Sequence, residues 1–264
     1  MLWVHPINAL IAGSTSFISQ LMASHLQTKF SKIICLNHRE ISKVEASFFP
    51  NSLNYVVNFT NPDAAYEKVV QDVLPNLTKK TVIINFMGTF GTVSTLQNLS
   101  IETAFSTMKQ NLVPFFVFSK LACSLLPGSA YISFSGAGVG GENLDASSYG
   151  YASSKGSAAI LIDAINKELN IFGNSAFLIA PGPFPSKMQR AVLSDSQALL
   201  GHSEIVERAR EVLQTTPNVS NLVTLFDCLI DNLDLAGGKV FSANWDHASQ
   251  ILANHNLGKI RRIF

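Results

Sequence analysis

Tyr151 and Lys155 are the two residues whose types and spacing most directly suggest chemistry. They stand about one helical turn apart at the start of an apolar-periodic segment, so we expect both side chains on one helix face. A positive charge beside a phenol favours the phenolate, and the pKa of Tyr151 is expected to fall from its usual value of about 10. A tyrosine tuned in this way can give a proton to a carbonyl or take one from an alcohol. Such pairs also arise by chance in exposed helical turns, so the surrounding elements must decide.

Strand-like and helix-like segments alternate along the chain. Short apolar runs predict strands at 9–12, 32–36, 55–59, 81–86, 131–135, 176–180 and 240–242, and helical periodicity occupies 18–30, 62–74, 101–126 and 149–172. This order predicts one domain over residues 1–264, a doubly wound Rossmann α/β fold with a mainly parallel seven-stranded sheet and helices on both faces. The segment 184–218 is expected to form helices that cover the site as a lid, because ligands bind beyond the carboxyl ends of parallel strands.

Composition narrows the class of protein. Hydrophobic residues make up 47% of the 264 residues and charged residues 14%, which favours a well-buried fold or an oligomer. The formal net charge of +1 suggests neither a nucleic-acid partner nor an anionic membrane. The three cysteines lack metal-ligand spacing and the histidines are scattered, so we expect no metal site, and reduced thiols favour the cytoplasm. No signal peptide or membrane-spanning segment is expected.

The turn after the first predicted strand is a candidate dinucleotide site. Gly13 supplies the tight turn, and backbone amides at the following helix N-terminus could face a pyrophosphate. The later glycines of the usual fingerprint are replaced by Ser16 or Phe17 and by Ser19. Judged by its glycines alone the segment would be a plain βα turn. A serine can still donate to phosphate, so we expect an altered site formed by Gly13, Ser14, Ser16, Phe17 and Ile18.

The residues after the second predicted strand bear on the choice of cofactor. Asn37, His38 and Arg39 stand where an acidic residue would accept hydrogen bonds from the ribose of NAD. Arg39 would attract a 2′-phosphate, so NADP(H) is favoured and NAD(H) stays possible. Two alternatives remain open: a solvated turn, or Glu40 as the ribose acceptor if the boundary shifts by a few residues.

Together these features resemble the short-chain dehydrogenase/reductase family, in its short single-domain branch, over roughly residues 8 to 245. Tyr151-Ala-Ser-Ser-Lys155 is similar to the family's active-site motif. Ser135 resembles the serine that closes the fifth strand, with Ser133 as a second candidate, and Asn111 resembles the asparagine of the catalytic tetrad. The resemblance therefore implies four catalytic residues: Asn111, Ser135, Tyr151 and Lys155.

The resemblance also implies further cofactor-binding residues. The run Asn85, Phe86, Met87 and Gly88 is similar to the Asn-Asn-Ala-Gly segment beside the cofactor. Asn58, followed by Phe59, falls where the family often has an adenine-contacting aspartate. The segment from Pro181 to Ser186 looks like the Pro-Gly segment whose downstream hydroxyl lies near the nicotinamide carboxamide, which adds Pro181, Gly182, Phe184 and Ser186.

The implied activity is an NADP(H)-dependent oxidoreduction of a small alcohol or carbonyl substrate. Tyr151 would exchange the proton on oxygen, Lys155 would lower its pKa and hold the nicotinamide ribose, and Ser135 would stabilise the developing alkoxide. Asn111 would order a water near Lys155. The departures at the phosphate turn keep open a catalytically weak cofactor-sensing or scaffold protein. The pair Phe17-Ile18 and the polar loop 142–145 keep open a nucleotide-sugar-modifying enzyme.

The two longest predicted helices bear on the quaternary structure. The two long helices that begin near residues 101 and 149 carry abundant apolar positions. We expect them to pair across the interface of a homodimer or homotetramer. The short basic and apolar tail, 258–264, would pack on a partner subunit or fray.

Overall fold

Seven parallel strands form one sheet in the order β3-β2-β1-β4-β5-β6-β7. The structure, a computed structural model, describes residues 7–136, 148–195, 203–217 and 219–253. The strands are β1 Asn8–Ala12, β2 Lys32–Asn37, β3 Leu53–Val56, β4 Thr81–Asn85, β5 Ala130–Phe134, β6 Ser175–Ala180 and β7 Val240–Ser242. Each neighbouring pair is parallel. The predicted doubly wound sheet is confirmed.

Helices connect these strands on both faces of the sheet. They are α1 Phe17–Lys29, α2 Lys43–Ala46, α3 Pro62–Lys68, α4 Ile101–Ala122, α5 Tyr149–Ile171, α6 Lys187–Ser194, α7 Ser203–Gln214, α8 Ser220–Asp231, α9 Leu233–Ala236 and α10 Ala248–Ala253. After α3 the chain continues through a π-helical turn and a 3₁₀ turn to Asn76. None of the helices in the described ranges is both long and apolar enough to cross a membrane.

Two apolar cores enclose the sheet, one on each face. Strands β1, β4 and β5 are buried along their whole lengths, as expected for a parallel sheet covered on both sides. Side chains alternate along a strand, so Ile11 enters the core shared with α1 and α8, whereas Leu10 enters the core shared with α4 and α5. The packing fixes the carboxyl ends of the strands, where the candidate site lies.

The strand order reverses at β1, which pairs with β2 on one side and with β4 on the other. The helices that follow β1 and β4 pack on opposite faces of the sheet, and in open parallel sheets such a point is where a ligand binds. Two backbone hydrogen bonds extend the ladder into the connections, from Gly13 N to Leu36 O at 2.8 Å and from Phe86 N to Ala12 O at 2.9 Å. The turn after β1 is thereby held to the end of β2, and the run after β4 is held to the end of β1.

Helices α4 and α5 approach closely at Gly150. A methyl group added at Gly150 would lie 2.7 Å from the Ala104 carbonyl oxygen and 3.0 Å from Thr107 Cβ. Only glycine fits this contact, which fixes the first turn of α5 and therefore Tyr151. Pro114 lies inside α4, which runs as a single helix up to Ala122.

The third strand lies earlier than the sequence predicts. We predicted 55–59, whereas β3 pairs Leu53 with Ile34 and ends at Val56. The side chain of Asn58 accepts a hydrogen bond from Thr60 N at 2.9 Å, and this local turn ends the strand.

The segment predicted as a lid forms helices α6 and α7. Val192, Ile205, Val206 and Ala209 of these helices form a small apolar cluster with Val93 of the β4–α4 connection. Residues 196–202 and 218 of the segment lie outside the described residues, as do the polar loop 142–145 and the tail 258–264.

Candidate active site

Tyr151 and Lys155 lie in the first two turns of α5 and face the interior. Each side chain is 8% exposed, which excludes the alternative of an exposed helical turn. Lys155 Nζ lies 5.8 Å from the centroid of the Tyr151 ring, so the two side chains share one face as their spacing predicted. A buried phenol and a buried amine next to each other form the centre of the site.

The Lys155 amine links two strand ends. Its Nζ donates at 2.7 Å to the carbonyl oxygen of Phe134, which is the last residue of β5. A methyl group added at Gly88, after β4, would lie 3.5 Å from the same nitrogen. Burial lowers the pKa of Lys155 to about 8, because the ammonium form loses its hydration.

The pKa of Tyr151 does not follow the sequence-based expectation. Burial raises the pKa of the Tyr151 phenol to about 12, so the predicted lowering is wrong. The loss of hydration destabilises the phenolate more than the neighbouring amine stabilises it, because that amine is itself buried and donates to the Phe134 carbonyl oxygen. At neutral pH Tyr151 therefore carries its proton.

Ser135 is an orphaned hydroxyl beside this pair. Its Oγ is buried and has no hydrogen-bond partner within the part of the chain that the structure describes. The next residue, Gly136, lies against Tyr151, because a methyl group added there would collide with the phenolic oxygen. Ser133, the second candidate, already accepts from Asn85 Nδ2 at 3.4 Å. Of the two serines, only Ser135 has a hydroxyl without a partner among the described residues.

Asn111 fastens the β4–α4 connection to the helices. Its Oδ1 accepts from Thr89 N at 2.7 Å, and its Nδ2 donates to Thr89 O at 3.0 Å and to Ser154 Oγ at 2.8 Å. Ser154 Oγ donates in turn to the Tyr151 carbonyl oxygen at 2.7 Å. The carboxamide is thereby committed to protein groups and holds Thr89 beside the first turns of α5. The ordering of a water by Asn111 stays a prediction.

The chain after β4 is held in a turn by the buried side chain of Asn85. Asn85 Oδ1 accepts from Met87 N at 3.0 Å, and Asn85 Nδ2 lies 3.4 Å from the Tyr131 hydroxyl. Phe86 stacks on Phe134 with the ring centroids 4.6 Å apart. Asn85 and Phe86 thus fix the ends of β4 and β5 relative to each other. Gly88, two residues further on, lies next to Lys155 and Asn111.

The turn after β1 offers backbone groups to a phosphate. Gly13 has a φ of +79°, and a methyl group added there would lie 3.1 Å from Met87 N, so the turn requires glycine. Ser16 caps α1, its Oγ accepting from Ser19 N at 3.1 Å. The N–H groups of Phe17 and Ile18, in the first helical turn, lack intrahelical acceptors and are left for another one. The turn therefore fits a diphosphate through its backbone.

The end of β2 is organised by two side-chain pairs. Asn37 is buried and its Nδ2 donates to Ser14 Oγ at 2.9 Å, so its carboxamide ties the ends of β1 and β2 together. Arg39 is exposed and forms a two-pronged ion pair with Glu45, with Nη2–Oε1 at 2.5 Å and Nη1–Oε2 at 3.0 Å. Hydrogen bonds from Arg39 lower the pKa of the Glu45 carboxyl to about 2. His38 is exposed beside them.

Comparisons with known proteins bear on the fold. No protein-family model and no curated protein matches the sequence. Among solved structures, an NAD⁺-bound xylitol dehydrogenase matches with a TM-score of 0.73 and 16% identity, covering 89% of this chain and 96% of that one. A Burkholderia cenocepacia short-chain dehydrogenase in complex with NADP matches with 0.68 and 18%, covering 89% and 97%. A Serratia marcescens short-chain dehydrogenase/reductase variant matches with 0.68 and 15%, covering 90% and 97%.

The chain has the short-chain dehydrogenase/reductase fold. In this fold the predicted tetrad residues Asn111, Ser135, Tyr151 and Lys155 all lie around the carboxyl ends of β4 and β5. The structure brings these four side chains together, and their catalytic roles stay a prediction.

Other residues assigned to the cofactor by resemblance serve local structure in this fold. Gly182 has a φ of +90° and Phe184 is buried in the core, so the segment after β6 makes a tight bend. Ser186 caps α6, accepting from Met188 N at 3.2 Å and donating to Gln189 Oε1 at 2.5 Å. On the other face of the sheet, the ring of Phe59 packs on the ring of Phe118.

Two residues of the site were missed by sequence reasoning. Phe90 lies against Tyr151, but it belongs to a connection without any periodic pattern, so nothing in the sequence placed it there. Glu45 pairs with Arg39, and here a signal existed, since Ser42-x-x-Glu45 has the spacing of a capping box and the structure forms one.

Proposed function

We propose that the protein is a nicotinamide-dependent oxidoreductase that interconverts a small alcohol and its carbonyl compound. One observation carries the proposal: the protonated phenol of Tyr151, the amine of Lys155 and the orphaned hydroxyl of Ser135 share one buried place at the carboxyl end of β5. A carbonyl oxygen needs a hydrogen-bond donor and a proton donor, and these groups supply both. The NAD⁺- and NADP-bound structures with the same fold support the assignment.

The proposed cofactor is NADP(H), with NAD(H) as the alternative. Its diphosphate would be held by the turn at Gly13 and the free N–H groups of Phe17 and Ile18, and a 2′-phosphate by Arg39. Lys155 would bind the nicotinamide ribose, close to Gly88. When bound, the cofactor supplies or accepts the hydride of the reaction.

The side chains would divide the remaining work among them. Ser135 donates a hydrogen bond to the substrate oxygen and stabilises the negative charge that develops on it. Tyr151 delivers the proton to the same oxygen. Because burial keeps Tyr151 protonated at neutral pH, the site is prepared for carbonyl reduction, and alcohol oxidation would be faster at alkaline pH.

We also propose that the protein is a cytoplasmic homodimer or homotetramer. Phe105 and Phe116 on α4 and Ile160 on α5 are 64%, 49% and 62% exposed, and covering them would remove apolar surface from water. The described cysteines, Cys35, Cys123 and Cys228, are free thiols, which supports a reducing compartment.

Titration of NADPH and NADH, followed by nicotinamide fluorescence, tests the proposal. We expect micromolar or tighter binding of at least one cofactor, and cofactor oxidation when carbonyl compounds are added. Binding without turnover across a broad carbonyl panel would favour a cofactor-sensing protein. Turnover limited to nucleotide sugars would favour the nucleotide-sugar-modifying alternative. Binding of neither cofactor would end the proposal.

A further inference from the structure

Arg39, the residue proposed to bind the 2′-phosphate of NADP(H), already forms an ion pair with Glu45. Both guanidinium nitrogens at the end of the side chain donate to the Glu45 carboxylate, at 2.5 and 3.0 Å. Nη1 also donates to the Glu40 carbonyl oxygen at 2.7 Å. Three of the five N–H donors of Arg39 are therefore committed to neighbouring residues.

Glu45 is held in place independently of Arg39. Its Oε2 accepts from the backbone N–H of Ser42 at 2.9 Å, and its own N–H donates to Ser42 Oγ at 3.2 Å, which completes a capping box at the start of α2. The side chain of Glu45 is 17% exposed, whereas that of Arg39 is 45% exposed. The capping box thus holds the carboxylate in the first turn of α2, near Arg39, whether or not the ion pair is intact.

A phosphate that approaches Arg39 meets this carboxylate as well. The carboxylate balances the charge of the guanidinium, and it repels a second anion placed on the same group. The edge of Arg39 best suited to clamp an oxyanion with two parallel hydrogen bonds is already in use. NADP(H) would have to share or displace Glu45, whereas NAD(H) carries no phosphate at that position.

We infer that Glu45 is a specificity-determining residue that restrains the preference for NADP(H) by competing with the 2′-phosphate for Arg39. The inference rests on the proposed function, because it presumes a bound nicotinamide dinucleotide. It assigns opposite roles to two adjacent side chains: Arg39 attracts the 2′-phosphate and Glu45 weakens that attraction. The cofactor preference of the protein is then the balance between them.

Glu45→Gln is the informative variant. Glutamine keeps the acceptor for Ser42 N and so keeps the capping box, but it removes the negative charge. We expect the dissociation constant for NADPH, measured by titration calorimetry, to fall about three- to tenfold, with that for NADH unchanged within about twofold. Glu67→Gln is the matched control, since it removes an exposed carboxylate from α3 and leaves the ion pair between Arg39 and Glu45 intact, and it should change neither constant by more than about twofold.

A double variant decides whether the effect passes through Arg39. In Arg39→Gln the affinity for NADPH should fall, and adding Glu45→Gln to it should give no further gain. Weaker NADPH binding in Glu45→Gln would overturn the inference, because it would mean that Glu45 positions Arg39 for the phosphate. Unchanged NADPH binding, or an equal gain in Glu67→Gln, would overturn it too. Wild-type protein that binds neither cofactor would instead remove the proposed function, and the inference with it.

Discussion

The ring of Phe90 lies on the ring of Tyr151, with the centroids 4.9 Å apart and the planes at 36°. Phe90 also packs against the apolar cluster that Val93 forms with residues of α6 and α7. A hydrogen bond ties the same connection to the end of α6, since the backbone N–H of Val93 donates to the Asp195 carboxylate at 3.2 Å. One aromatic residue therefore connects the proposed proton donor with the helices proposed to cover the site.

We predict that Phe90→Ala lowers affinity for an apolar carbonyl substrate more than it lowers the chemical rate. Removing the ring opens one wall beside Tyr151, so KM should rise about tenfold while kcat changes less, as expected for the loss of a buried aromatic contact. Steady-state kinetics check this prediction. Phe90→Leu should recover much of the loss, and Phe172→Ala at the C-terminal end of α5, about twenty residues from Tyr151, should leave both constants unchanged. A fall in kcat with unchanged KM would contradict the assignment of Phe90 to substrate binding.

The pKa of Lys155 predicts how stability depends on pH. The folded-state pKa, about 8, lies below the ordinary 10.5, so the unfolded chain holds more protons between these values. The free energy of unfolding should therefore rise as the pH increases from about 8 to 10.5, by up to about 3 kcal/mol from this residue. Urea unfolding of the cofactor-free protein at several pH values measures the rise.

Lys155→Met is the comparison for that measurement. Burial also raises the pKa values of Tyr131 and Tyr151, so above about pH 10 these residues lower the free energy of unfolding. Both tyrosines are present in the wild type and in the variant, so their contribution cancels in the difference. The difference in unfolding free energy between wild type and variant should grow over the stated range. A constant difference would mean that the Lys155 amine titrates as it does in water.

Asn111 is predicted to act on structure as well as on activity. Asn111→Ala leaves the N–H and carbonyl of Thr89 without their partner, which should cost about 2–4 kcal/mol of stability and loosen the connection that carries Gly88 and Phe90. Thermal or urea unfolding checks the cost. Ser154→Ala removes the hydrogen bond from Asn111 and the one to the Tyr151 carbonyl oxygen but leaves Thr89 paired with Asn111, and it should cost about 1–2 kcal/mol. Equal, small losses in both variants would show that the Thr89 contacts contribute little.

The sequence predicted the fold well because the signals for it are local. Alternating apolar runs and helical periods specify the parallel sheet, and the four-residue spacing places Tyr151 and Lys155 on one face of α5. The identity of the free serine could not be read in this way. Ser133, in β5, and Ser135, directly after it, are two residues apart and face the same side of the sheet, and it is the contact of Ser133 with Asn85 that distinguishes them.

What the sequence could not supply are the effects of burial and of competing partners. The pKa of Tyr151 depends on how much water reaches the phenol, which spacing along a helix does not reveal. Ser16 and Ser186 were expected at the cofactor, yet both hydroxyls cap helices, a role that the same residue types favour. Arg39 was assigned to a phosphate from its position alone, whereas the first turn of α2 places Glu45 against it.

Replacing Tyr151 by phenylalanine tests the proposed activity most directly. Cofactor oxidation with a carbonyl substrate should fall by about 10²–10⁴-fold in Tyr151→Phe, because the proton donor is lost. The dissociation constant for the cofactor, measured by nicotinamide fluorescence, should be nearly that of the wild type. Residual turnover close to the wild-type rate would remove Tyr151 from the mechanism and contradict the proposed function of the site.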